Sequence, residues 1–204
     1  MLYLPVILMG YLLGSSNMAY YLAKWKRVEL RGGGSGNLGA SNATMLMGWW
    51  AGIAVAVHDI GKSMLAVFVA GWLVPNLESA GAAAGVAGVL GHIFPFYLKF
   101  KGGKGFASYI GLIVALNWKY AIAILALVVL VTVVTDYIVL GTTLTVVTSP
   151  VYFGLTSGSF LLAAILFVAT AVIVYKHRDN YVRIWKGTEH GLRGAIRGDD
   201  RVKN

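Results

Sequence analysis

Apolar runs about as long as a bilayer is thick follow one another along this chain, and three polar clusters interrupt them. A membrane-crossing helix needs roughly 17–25 predominantly apolar residues, and most of these runs reach that length. The clusters read GGGSGNLGASN (32–42), GHIFPFYLKFKGGKG (91–105) and YKHRDN (175–180). Polar groups are costly in lipid, so such residues do not belong in the middle of a span without a use. Two of the clusters are glycine-rich. Glycine lets backbone N–H groups come close to an anion, and lysine supplies the countercharge. The pattern predicts an all-α integral membrane protein whose polar clusters hold a phosphorylated substrate at the bilayer surface.

The composition supports the membrane class. Of the 204 residues, 58% are hydrophobic and 12% charged, and that charged fraction is about half of what a soluble domain carries. This length suits a single transmembrane domain, 1–204, of several packed helices, with a polar, frayed tail from about residue 188. Cysteine is absent, which excludes disulfides, thiolate nucleophiles and cysteine metal sites.

Seven spans can be read, at 2–23, 49–74, 80–98, 105–118, 119–135, 138–156 and 158–175. The fourth is short and begins inside a glycine cluster, as a partial or tilted helix would. Alternating their direction puts 24–48, 99–104, 136–137 and 176–204 on one side. That side carries Lys24, Lys26, Arg27, Arg31, Lys99, Lys101, Lys104, Lys176, Arg178, Arg183, Lys186, Arg193, Arg197, Arg201 and Lys203, leaving only Lys62 and Lys119 of the 17 Lys and Arg residues elsewhere. The positive-inside rule then predicts the N-terminus outside and the C-terminus in the cytoplasm, with all three clusters on the cytoplasmic side. Residues 1–23 lack a positive n-region, so a cleaved signal is not expected. The net charge is +9. Because the cations flank spans, they suit anionic lipid head groups, and no nucleic-acid partner is expected.

The motifs narrow the chemistry. Gly34-Ser35-Gly36-Asn37-Leu38-Gly39 fits GxGxxG, but no strand precedes it, so it is not a dinucleotide fingerprint. Its glycines still permit tight turns, and Ser35, Asn37, Ser41 and Asn42 add neutral hydrogen-bonding groups. A plain flexible linker is the competing reading. Lys101-Gly102-Gly103-Lys104-Gly105 resembles a phosphate cradle, yet no Ser or Thr follows Lys104 as a Walker A loop requires. Gly105 can open a helix whose N-terminus favours an anion. Positive-inside lysines with glycines at helix ends would look the same. His177 and Asn180 share a face if the last span continues as a helix, and they can bind phosphate oxygens or a substrate hydroxyl. His92 reads as a residue shaping a helix end. Asp59 and Lys62 share a face of the second span, either as a pair that orders nearby loops or as a substrate contact. No HExxH motif or carboxylate cluster is present, so no metal site is expected. Asp136, Asp179 and Glu189 form no readable acid–base pair. No internal repeat is visible, which weighs against a transporter built from repeated halves.

Taken together, the clusters resemble the bacterial acyl-phosphate:glycerol-3-phosphate acyltransferase family. Three signatures match in order. They are Gly34 through Asn42, Gly91-His92-Ile93-Phe94-Pro95 through Phe100-Lys101-Gly102-Gly103-Lys104-Gly105, and His177-Arg178-Asp179-Asn180 continuing to Gly187 and Glu189. The resemblance implies a multi-pass enzyme of the inner membrane with seven spans and a cytoplasm-facing site. It implies transfer of a fatty acyl group from acyl phosphate to the 1-hydroxyl of glycerol 3-phosphate, giving lysophosphatidic acid and phosphate without a cofactor. It further implies that Ser35, Lys104, His177 and Asn180 carry the reaction. Gly36, Asn37, Gly39, Ala40, Ser41, Asn42, Lys101, Gly102 and Gly103 would bind the phosphate groups, the first loop wrapping that of the acyl phosphate.

Two positions depart from the family's pattern. Met45 stands where the family usually has Arg, and Val139 where it usually has Ser. Methionine cannot replace a bidentate phosphate partner; Lys101 and Arg31 are the candidates to compensate. Weaker acceptor binding or a different phosphorylated polyol would otherwise follow. Two other functions use the same residues: a transporter or flippase for a phosphorylated metabolite or lipid, and a lapsed relative that only binds lipid precursors.

Overall fold

The computed structural model describes residues 2–197. It is helical, with no strand among the described residues. The chain forms two units that meet in sequence between Asn117 and Trp118.

The first unit contains α1 (Tyr3–Ser15), α2 (Met18–Lys26), α3 (Ala40–Met47), α4 (Trp49–Leu73), α5 (Ala80–Ile93), a 3₁₀ turn (Phe96–Leu98) and α6 (Phe106–Leu116). Helix α5 is its axis, and nearly all of its residues are buried. Its composition explains this position. Lipid tails are as apolar as leucine, so helices in a membrane associate through close backbone packing rather than hydrophobic drive. The AGAAAGVAGVLG run of α5 offers that closeness. Against it, a Cβ on Gly10 of α1 would meet the Ala84 carbonyl, and one on Gly14 would meet that of Gly88. On α6, Gly111 abuts the backbone of Ile60 in α4 in the same way.

The run 2–23, expected as one continuous span, is broken. Helix α1 stops at Ser15, and α2 restarts at Met18 under an N-cap on Asn17, whose side chain accepts from the Tyr20 amide at 2.8 Å. Asparagine is among the best N-cap residues. The segment 24–48, expected as a loop, contains α3, so Ala40, Ser41 and Asn42 lie on the first turn of a helix.

The second unit contains α7 (Trp118–Thr135), α8 (Ile138–Ser157), α9 (Phe160–Lys176), α10 (Arg178–Trp185) and α11 (Leu192–Arg197). The hydroxyls of α8 are satisfied within their own helix: Thr142, Thr145 and Ser149 each donate to the carbonyl four residues back. Between helices, Thr170 of α9 donates to the Val146 carbonyl of α8 at 2.5 Å. Tyr120 of α7 stacks on Tyr152 of α8 at 3.9 Å.

Four helical stretches are long and apolar enough to cross a membrane: Trp49–Leu73, Ala80–Leu98, Trp118–Thr135 and Ile138–Ser157. Counting α9 with α10, which bend by 45° at their junction, gives five. The expected fourth span is the 11-residue α6, short as its sequence suggested.

The tail is not frayed where it is described. Asp136, at φ +75°, closes α7. Its carbonyl accepts from the Leu192 amide at 2.9 Å and its carboxylate from the Arg193 amide at 2.7 Å, while the Arg193 guanidinium donates to the Val133 carbonyl. The polarity of residues 188–194 therefore serves an anchored connection. Residues 198–204 lie outside the described part.

If backbone contact between α1 and α5 holds the first unit together, Gly14→Leu must force the two helices apart. Overpacking commonly costs about 1–3 kcal/mol, and a clash with backbone belongs at or above the top of that range. The expected outcome is a clearly lowered unfolding temperature in detergent, measured against Gly71→Leu, whose Cβ would meet nothing within 4 Å.

Candidate active site

The first glycine cluster is a turn built around one buried amide. Asn42 is fully buried; its Oδ1 accepts from the Ser35 amide at 2.8 Å and its Nδ2 donates to the Leu30 carbonyl at 2.8 Å. Gly34 and Gly36 take φ of +56° and +66°, the left-handed region that glycine enters at little cost. The Gly36 amide closes the turn on the Gly33 carbonyl at 3.0 Å. These contacts leave Ser35 exposed at the tip. Asn42, expected among the phosphate-binding residues, uses its side chain to organise the loop's own backbone. Gly39 is the N-cap of α3 and gives no side-chain cap. The first N–H groups of that helix, from Ala40 and Ser41 onward, have no intrahelical acceptors and carry the positive end of its dipole.

The second cluster is docked onto the end of α5. The Gly102 amide donates to the Ile93 carbonyl at 2.9 Å, and the Gly103 amide to the His92 carbonyl at 3.1 Å. A side chain on Gly102 would meet the His92 carbonyl, and one on Gly103 would meet the His92 ring. Glycine is required at both positions by close approach to His92. Those two amides are therefore turned into the protein and do not form the anion cradle expected of them. Lys104, half-buried, follows directly. Gly105 at φ +93° is then the N-cap of α6, as expected, again without a side-chain cap.

Arg31 ties the two loops together. Its Nη2 donates to the Lys101 carbonyl at 2.8 Å and lies 3.4 Å from that of Leu98. The Lys101 side chain is exposed. Met45 lines the first loop, with its Sδ 3.6 Å from where a Gly34 Cβ would stand. An apolar thioether thus flanks the turn that carries Ser35.

Beneath the second loop lies a charged cluster inside the helices. Lys62 donates to Asp59 Oδ1 at 2.7 Å, to the Ser16 carbonyl at 2.7 Å and to His92 Nδ1 at 2.9 Å. His58 joins Ser16 Oγ through Nε2 at 3.0 Å. The sequence pointed to the Asp59–Lys62 pair. It gave no sign that His92, 30 residues further on, completes it, since nothing in spacing relates the two helices.

In the second unit, His177 and Asn180 are both buried. His177 sits at the bend between α9 and α10, so the two residues lie across a helix junction and not on one straight helix. Its Nδ1 is 2.8 Å from the Ile173 carbonyl. A carbonyl only accepts, so Nδ1 carries the hydrogen and the neutral ring has its lone pair on Nε2. Asn180 donates to Glu189 Oε1 at 2.5 Å, and Arg183 donates to Glu189 Oε2 at 2.6 Å. Glu189, which suggested no partner in the sequence, fixes Asn180 and Arg183 together. Val139 is buried in α8; Thr143, which donates to its carbonyl, also meets the hydroxyl of Tyr181 at 2.7 Å. No group of three or more metal-ligating side chains occurs among the described residues.

A multi-helix membrane protein with glycine- and lysine-lined loops beside helix N-termini is the class this geometry defines. Comparison with known proteins makes it specific. The family model for glycerol-3-phosphate acyltransferase matches residues 4–187. A glycerol-3-phosphate acyltransferase of Thermoanaerobacter pseudethanolicus is 34% identical over 190 residues, covering 91% of this chain and 93% of its own. One from Coxiella burnetii is 34% identical over 191 residues, covering 93% and 97%. Among solved structures, PlsY, an integral membrane glycerol 3-phosphate acyltransferase, in its glycerol 3-phosphate form superposes with a TM-score of 0.88 at 29% identity, over 95% of this chain and 97% of that one. Its lysophosphatidic acid form gives 0.84 at 28% identity, over 93% and 94%. The chain belongs to the glycerol-3-phosphate acyltransferase family.

Removing the Asn42 amide leaves the Ser35 N–H and the Leu30 carbonyl without their partner. The Leu30 carbonyl, orphaned in the interior, costs about 1–3 kcal/mol. Asn42→Ala is expected to loosen the Ser35 turn and reduce turnover by ten-fold or more. Asn42→Asp, which can keep only the acceptor half, should fall between the two.

Proposed function

We propose that this protein transfers a fatty acyl group from acyl phosphate to the 1-hydroxyl of glycerol 3-phosphate, releasing phosphate and forming lysophosphatidic acid for phospholipid synthesis. The match of one family model to residues 4–187, spanning all three polar clusters, carries this reading. The proposed setting is the inner membrane, with seven spans, the N-terminus outside and the clusters facing the cytoplasm. The short α6 and the broken α1–α2 segment would complete the count beyond the five stretches that qualify by length. The charge distribution supports that orientation.

Acyl phosphate is already activated, so the reaction needs no enzyme nucleophile. The 1-hydroxyl oxygen attacks the acyl carbon, the ester C–O bond forms, and the bond to the phosphate oxygen breaks. The protein's task is to bring two anionic substrates together and stabilise the charge that develops. In this reading Lys104 supplies a cation, and the uncapped N-termini of α3 and α6 supply oriented N–H groups. Ser35, exposed on its turn, hydrogen-bonds a phosphate. Gly36, Asn37, Gly39, Ala40 and Ser41 shape that binding turn. His177, with its hydrogen on Nδ1, accepts the hydroxyl's hydrogen bond through Nε2. Either that nitrogen or the departing phosphate takes the proton. Asn180, oriented by Glu189, holds a polar part of a substrate.

The decisive assay measures phosphate release from palmitoyl phosphate by purified protein, with and without glycerol 3-phosphate, alongside lysophosphatidic acid. Acceptor-dependent release with matching lipid product is expected. Release without acceptor dependence, or none from folded protein, would refute the assignment. Lys104→Ala should lower kcat/KM by about 10–100-fold, the loss expected for one charge-assisted contact of about 1.5–3 kcal/mol.

Met45 sets a second expectation. An arginine there would bring a guanidinium to the turn that now meets a thioether. Met45→Arg should lower the KM for glycerol 3-phosphate several-fold with little change in kcat; an unchanged KM would show that this position does not limit acceptor binding.

A further inference from the structure

Lys62 sits inside the protein with 7% of its surface exposed. An ammonium has three N–H groups to give. Asp59 Oδ1, the Ser16 carbonyl and His92 Nδ1 stand within 2.9 Å to receive them. A lysine so occupied has nothing left for a substrate, yet ionisable groups this deep in helices usually serve function. Because Nδ1 of His92 accepts from Lys62, the neutral ring carries its hydrogen on Nε2, the edge that lies against Gly103. The same residue's carbonyl receives the Gly103 amide. Ring and backbone of His92 thus form the surface on which Gly102 and Gly103 rest, one residue before Lys104.

We propose that Lys62 is a positioning residue for this loop. By fixing the rotation of the His92 ring it sets where Gly102, Gly103 and Lys104 lie. This rests on the reading that the loop binds a substrate phosphate. Asp59 holds the ammonium in place. The Ser16 carbonyl links the same ammonium to the break between α1 and α2.

The test compares full-length wild type with Lys62→Met and with the double variant Asp59→Asn/Lys62→Met, all in detergent. The double variant removes the unpaired buried carboxylate that could keep the single one from folding. Amide exchange, followed by mass spectrometry without substrates, is expected to speed up ten-fold or more in peptides covering 101–105 in both variants. Peptides from α8 should be unchanged. In turnover assays, the KM for at least one phosphorylated substrate should rise ten-fold or more, with kcat within about three-fold. The double variant should regain thermal stability but not the wild-type KM, because its His92 still lacks the ammonium.

A merely structural role predicts the opposite: less active protein at unchanged KM in the single variant, and recovery of the active fraction together with stability, still at the wild-type KM, in the double variant. That result would overturn the proposal, as would unaltered exchange at 101–105 in either folded variant. The exchange measurement needs no turnover. If the wild type fails to acylate glycerol 3-phosphate, the functional reading falls while the positioning of the loop is still decided.

Discussion

A single buried ammonium joins three segments of the first unit. Moving a charge out of water costs several kcal/mol even after relaxation, so it persists only where every hydrogen finds a partner. The three partners of Lys62 come from different parts of the chain: Asp59 from the same helix, Ser16 from the end of α1, His92 from α5. Satisfying one group therefore constrains three segments at once. The break after α1 follows directly. In a continuous helix the Ser16 carbonyl would receive the Tyr20 amide. Here that carbonyl receives Lys62, and the Tyr20 amide turns to the Asn17 side chain. One backbone bond is exchanged for a local cap and a bond that ties the segment to α4.

Such a cluster needs helices whose backbones approach closely, and the small residues of α5 supply that. Gly88 and Ala84 admit α1 at backbone contact. Gly91, beside His92, abuts the Tyr11 carbonyl of α1. A larger residue on this face would lift α1 away and withdraw the Ser16 carbonyl from Lys62. Small-residue packing and polar satisfaction are here two requirements on the same faces.

The sequence made the helical membrane class legible because span length and hydropathy are local properties. The three clusters were legible for the same reason: each is contiguous, and lipid tolerates few such groups. Gly105 as the start of α6 was readable, as was the Asp59–Lys62 pair, since both rest on spacing within one element. What escaped was everything that depends on contact between elements. Hydropathy reads 2–23 as a single run because Ser16 and Asn17 change its mean little, while their hydrogen bonds decide its shape. Asn42 looked like an offered amide, and only its burial shows that both ends are engaged. Residues 188–194 looked frayed because polarity alone does not distinguish solvation from attachment to Asp136 through backbone amides.

The glycines show how the same composition can serve a different physical purpose. A lysine–glycine run suggests N–H groups converging on an anion. Yet the amides of Gly102 and Gly103 are bonded to carbonyls of α5, and that of Gly36 closes its own turn. Their glycine identity is explained by sterics and φ, not by ligand access. In the function proposed above, anion stabilisation falls to Lys104 and to two helix N-termini that lack side-chain caps. This division suits acyl transfer from an activated donor. Charge moves during the reaction, and donors held by a rigid frame need no reorganisation to meet it. A loop whose glycine amides are already bonded to α5 is such a frame. One with those amides turned outward would have fewer restraints of its own until a substrate arrived.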